Sequence, residues 1–72
     1  MRIKTLLFGA GLGSKEFKQN TKDSRECLAF IDNDIKRHYT KFQNILIIPP
    51  SDIENYNYDE IVITTQWVEE VK

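Results

Sequence analysis

Four short apolar runs limit what this chain can fold into: Ile3-Lys4-Thr5-Leu6-Leu7-Phe8, Cys27-Leu28-Ala29-Phe30-Ile31, Ile45-Leu46-Ile47-Ile48 and Ile61-Val62-Ile63-Thr64-Thr65. Several are continuous rather than alternating, and those of the second half are rich in β-branched residues. That is how strands buried on both faces read, because neither set of alternate side chains meets water. Each run ends in turn or polar chemistry: Gly9, Asp32-Asn33-Asp34, Pro49-Pro50 and Gln66.

The stretches between the runs have crossover length. Residues 12–26 are polar, with only Leu12 and Phe17 as apolar anchors and Ser14 as a candidate helix N-cap. Residues 33–44 are charged and loop-like, anchored by Ile35, Tyr39 and Phe42. Pro49-Pro50-Ser51-Asp52-Ile53-Glu54-Asn55 predicts a short helix begun by proline and capped by serine. Trp67 and Val71, four apart, give the tail helical spacing. Twelve residues separate Asp32 from Ile45, about the minimum for a parallel crossover. The expectation is an α/β half-Rossmann fold, with mainly parallel strands near 3–8, 27–31, 45–48 and 60–65 in the order 3-2-1-4 and short flanking helices.

Ten basic against eleven acidic residues, a net charge of −1, argue against a dedicated nucleic-acid binder. No run approaches the ~18 apolar residues of a membrane span, and the apolar start breaks at Gly9, too early for a signal peptide. One cysteine forms no internal disulfide, so a cytoplasmic location is expected.

The chemical signal follows the first strand: Gly9-Ala10-Gly11-Leu12-Gly13-Ser14. In a dinucleotide fingerprint the first glycine makes the tight turn, the second admits a pyrophosphate and the third lets helix and strand pack closely. Gly9 and Gly11 suit the first two roles. Ser14 stands where the third glycine or alanine belongs, with Gly13 one residue early, so the motif is degraded but sterically admissible. Asp32 lies 21 residues beyond Gly11, at the end of the second strand, where a carboxylate can accept hydrogen bonds from a ribose diol. The alternative is that the glycines only turn the chain and Asp32 only ends a strand.

Asn33 adjoins that acid. Thr64 and Thr65 end the fourth strand on the same carboxyl edge, where ligands of such sheets sit, although helix capping explains them equally. Lys36, Arg37 and Lys41 could meet an anionic ligand group or simply solvate a loop. Asp32 and Asp34 disfavour a 2′-phosphate, and so favour NAD over its phosphorylated form. His38 reads as a solvated loop residue, Cys27 as a small core hydrophobe and Trp67 as a packing anchor. No metal site is expected, because His38 lacks ligand-forming companions at suitable spacing.

Phe8-Gly9-Ala10-Gly11, Ala29-Phe30-Ile31-Asp32-Asn33-Asp34, Ile47-Ile48-Pro49 and Tyr58-Asp59-Glu60-Ile61-Val62-Ile63 together resemble the N-terminal Rossmann-like module of bacterial surface-polysaccharide enzymes. These are nucleotide-sugar dehydratases and epimerases of the short-chain dehydrogenase type, and sugar N-acyltransferases with a left-handed β-helix. The resemblance implies NAD or a nucleotide-sugar as ligand, and one module over residues 1–72, truncated after the fourth strand. The Gly-Gly-His continuation of the acyltransferases is replaced here by Leu12-Gly13-Ser14. The Thr/Ser-Tyr-x-x-x-Lys machinery of the dehydratases and epimerases does not occur.

Two functional readings follow. One is a nucleotide-binding module without a catalytic half, self-associating or completed in trans. The other is a non-binding remnant or protein-interaction module from a split or truncated gene. No acid–base pair is placed for chemistry, so the chain is not expected to be an enzyme by itself.

Overall fold

The computed structural model describes residues 2–64. Among these residues five strands and one α-helix follow one another as β1 (Ile3–Phe8), α1 (Leu12–Asn20), β2 (Arg25–Ile31), β3 (Lys41–Phe42), β4 (Ile45–Ile48) and β5 (Glu60–Ile63). Short 3₁₀ turns occupy Ile35–Arg37 and Pro50–Asn55. The sheet order is β3-β4-β2-β1-β5. The pairs β1–β2, β1–β5 and β2–β4 are parallel, and β3 is antiparallel to β4. The α/β half-Rossmann expectation holds, and the four expected strands keep their order. Thr65 and the tail helix expected around Trp67 and Val71 lie outside the described residues.

The fifth strand is the departure. Residues 33–44 are not all loop, because Phe42 pairs with Ile45 across a two-residue turn. Gln43 and Asn44 both have positive φ, 57° and 64°, the conformation a tight hairpin of this hand requires. Gln-Asn lacks the glycine that usually marks such a turn, so the hairpin is hard to see in the sequence. Phe42 is an anchor as expected, with its ring edge-on to Phe30 at 5.2 Å. Ile35 and Tyr39 are not, being 82% and 62% exposed.

Side-chain alternation splits the core into two layers. On one face Leu7, Ala10, Phe30 and Ile47 are buried, with Phe17, Cys27, Phe42, Ile45 and Val62 packed against them. On the other, Leu6, Ala29, Ile31 and Ile48 are buried beneath Ile53 and Tyr56 from the connection after β4. Both sides of the central strands are therefore dry, as the continuous runs require. The register between β1 and β2 shifts between Thr5 and Leu6. That bulge brings Leu28 to the same layer as Ala29.

Helix α1 is shorter than residues 12–26 and starts differently. Its N-cap is Gly11, and Ser14 is buried in the first turn rather than capping it. Leu12 is 74% exposed, so it anchors nothing. The inward positions are the small Gly13 and Ser14, followed by Phe17, which lets the start of the helix lie close on the sheet. In the turn after β4, Pro50 opens the element as expected, but Pro49 holds the N-cap position and Ser51 caps nothing. Among the described residues no helix is long and apolar enough to cross a membrane.

Candidate functional site at the glycine turn

The sheet register brings the site together. Phe8 lies opposite Ile31 and Ile63, and Ile31 opposite Ile48. One residue further on, each chain continues the ladder by a single hydrogen bond. Gly9 N–H donates to the Ile31 carbonyl at 2.6 Å, Asp32 N–H to that of Ile48 at 3.1 Å, and Thr64 N–H to that of Phe8 at 3.1 Å. Gly9, Asp32 and Thr64, far apart in sequence, therefore stand in one row at the carboxyl edge.

A crevice of about 350 Å³ opens over that row, lined by Phe8, Gly9, Ala10, Gly11, Gly13, Ser14, Asp32, Asn33, Arg37 and Thr64. Eight of the ten residues expected at a site, Gly9, Ala10, Gly11, Gly13, Ser14, Asp32, Asn33 and Thr64, line it. Leu12 points to solvent, and Thr65 is not described.

The two turn glycines differ in kind. Gly9 has φ 110°, a conformation that disfavours any side chain. Gly11 has an extended backbone, φ −158°, which any residue adopts. A Cβ added at Gly11 would meet nothing within 4 Å. Packing among the described residues thus gives no reason for glycine at position 11.

The start of α1 is electrostatically open. Gly11 provides no side-chain cap, and the first turn holds no acidic residue. The first N–H groups of a helix have no acceptor within it, and they carry the positive end of the helix dipole. Ser14 is buried beneath them. Its hydroxyl contacts the Gly9 carbonyl and lies 2.5 Å from Thr64 Oγ1.

On the opposite wall Asp32 is held by its own loop. Its Oδ1 accepts from Asp34 N–H at 2.9 Å, and its Oδ2 from Arg37 Nη1 at 3.2 Å. Arg37 also lies over the Phe42 ring, 5.9 Å from the centroid. His38 is not the freely solvated residue expected: it is half-buried, its Nε2 2.6 Å from the Asp32 carbonyl. Arg37 is the lining residue that the sequence left undecided between ligand contact and solvated loop. Nothing in the local sequence separates it from Lys36 and Lys41, because its pairing with Asp32 depends on how the loop after β2 folds back.

A model of the family described as C2185-like, N-terminal, matches residues 1–72. The chain belongs to that family. No curated protein matches it. The crystal structure of UDP-D-quinovosamine 4-dehydrogenase from Vibrio fischeri is similar to this C2185-like N-terminal chain, with 32% identity and a TM-score of 0.70. The likeness covers 76% of this chain and 47% of that one, so the C2185-like chain spans about half the length of its structural neighbour. The neighbour is a sugar-modifying enzyme, which supports the broad resemblance read from the glycine and strand motifs.

Proposed function

We propose that this chain is a nucleotide-binding module that takes NAD or a nucleotide-sugar in the crevice at the carboxyl edge of its sheet. The observation that carries this reading is Gly11. Among the described residues nothing lies within 4 Å of a Cβ placed there, and glycine at this position suits close approach by a ligand from outside. A diphosphate fits that place, because the open start of α1 supplies N–H donors and positive potential. The crevice volume is at the small end of the roughly 300–1,000 Å³ range of ligand pockets, and suits a diphosphate with its ribose.

The residues divide the work by position. Gly9 makes the turn, and the backbone of Ala10, Gly11, Leu12 and Gly13 receives the phosphates. Asp32 keeps unused lone pairs beyond its two bonds and accepts from the ribose hydroxyls, with Asn33, Thr64 and Thr65 bordering the ligand. The neighbour's nucleotide-sugar chemistry supports this choice of ligand class, as does the degraded fingerprint in its strand–turn–helix setting. In this reading residues 1–72 are one cytoplasmic module of polysaccharide-type sugar metabolism. Catalysis comes from another segment or from a second chain in trans, and self-association is an equivalent way to complete the crevice.

The engagement of both Asp32 oxygens within the loop is the observation that favours the non-binding, interaction-module alternative. Titration of ¹⁵N-labelled protein with NAD and with a UDP-sugar separates the two. Amide shifts clustered at residues 9–14 and 32–34, lost in Gly11→Val, support binding. No shift at millimolar ligand leaves the non-binding module.

A further inference from the structure

Ser14 and Thr64 form a buried hydroxyl clasp whose purpose the glycine fingerprint does not explain. Each is 1% exposed, so water cannot satisfy their hydroxyls. Their contacts converge on one place. Ser14 Oγ meets the Gly9 carbonyl and lies 2.5 Å from Thr64 Oγ1. Thr64 Oγ1 is 3.1 Å from the Phe8 carbonyl and 3.4 Å from that of Gly9. Two hydroxyls carry two protons, which limits the arrangements. With Ser14 donating to Gly9, Thr64 donates to Ser14 or to a strand-end carbonyl. With Ser14 donating to Thr64, Thr64 donates to the Phe8 or Gly9 carbonyl. The contact of Ser14 Oγ with the Gly9 carbonyl draws that carbonyl inward when Ser14 is its donor, and with Thr64 then donating to Ser14 a chain of hydrogen bonds runs from Thr64 through Ser14 to it.

The Gly9–Ala10 peptide is not cis. In a planar trans peptide the C=O and the following N–H point in opposite directions. Holding the Gly9 carbonyl toward Ser14 therefore turns the Ala10 N–H away from the clasp. We propose that Thr64 and Ser14 are positioning residues for the glycine turn, fixing the Gly9 carbonyl so that the Ala10 N–H is presented to the crevice as a donor for a diphosphate. The serine at the third-glycine position is then a working part, and β5 sets the geometry of a turn 55 residues before Thr64. The proposal rests on the nucleotide-binding reading for its ligand, but its first readout requires none.

The test uses the ¹⁵N-labelled chain with Thr64→Val, which removes the hydroxyl at nearly constant shape, and Thr64→Ser, which keeps it. Thr64→Val is expected to move the Ala10 and Gly11 amide resonances of the free protein and to weaken inorganic pyrophosphate binding about tenfold, while Thr64→Ser restores both. Ser14→Ala provides a second route should Thr64→Val not fold, and is expected to move the same resonances. Unchanged Ala10 and Gly11 resonances in the folded variants would overturn the proposal. So would a Thr64→Ser variant as impaired as Thr64→Val, since methyl packing would then be the operative contact. Wild-type protein that ignores pyrophosphate, NAD and UDP-sugar overturns the nucleotide reading instead, while the free-protein resonances still decide the clasp.

Discussion

Arg37 Nη1 lies 3.2 Å from Asp32 Oδ2, so the acid at the end of β2 and the cation five residues later share one wall of the crevice. The pair is partly solvated, with side-chain exposures of 37% and 19%. Exposed ion pairs of this kind contribute little to stability, about 0–1 kcal/mol. Their greater effect is on the charge a ligand meets.

Arg37→Gln is accordingly expected to change stability by less than about 1 kcal/mol and to weaken binding of an anionic diphosphate roughly fivefold, the scale of one solvent-screened charge. Titration at low and high salt checks it. The difference between wild type and variant shrinks as salt screens the charge.

Gly11→Asn tests stability and binding with opposite signs. Asparagine is a better N-cap than glycine by about a few tenths of a kcal/mol, and its Cβ would meet none of the described residues. The variant is expected to melt slightly higher than wild type and to lose NAD and UDP-sugar binding. A destabilised variant would show that position 11 is glycine for the sake of the fold.

Glu60 gives a pH dependence at the opposite edge of the sheet. Arg25 Nε at 2.5 Å and the Thr5 hydroxyl at 2.9 Å hold its carboxyl below the usual range, Arg25 chiefly. A lowered folded-state pKa contributes stability at neutral pH that is lost as the pH falls through that value. Glu60→Gln is expected to be less stable than wild type at pH 7, by no more than about 1 kcal/mol for so exposed a pair. The gap should narrow in urea melts as the pH drops below about 4.

Cys27 packs in the layer under α1, where burial pushes its thiol from 9.0 up to about 11 against the opposing pull of Lys18. At pH 8 the folded protein is expected to react with iodoacetamide about a hundredfold more slowly than an unstructured thiol, because thiolate is the nucleophile. Denaturation should restore the ordinary rate. Since the folded pKa is the higher one, this contribution to stability is complete below the unfolded value and fades as the pH climbs toward the folded one.

The parallel sheet was legible because each strand states its own burial. Leu6 and Leu7, Phe30 and Ile31, and Ile47 and Ile48 are adjacent apolar residues that cannot share a face, so a two-sided layer had to exist. Gly9, Gly11 and Asp32 were legible because a strand–turn–helix unit needs particular residues at particular offsets. Tertiary structure decided the rest. The β3 hairpin rests on Gln43 and Asn44 adopting positive φ without the usual glycine, supported by Phe42 against Phe30. Ser14 looks like a helix cap in the local sequence and becomes a buried partner of Thr64 only once β5 lies beside β1. His38 and Arg37 look like loop solvation until the turn after β2 folds back on Asp32. Local sequence specifies backbone period and turn chemistry, whereas the partner of a polar side chain depends on which distant strand is its neighbour.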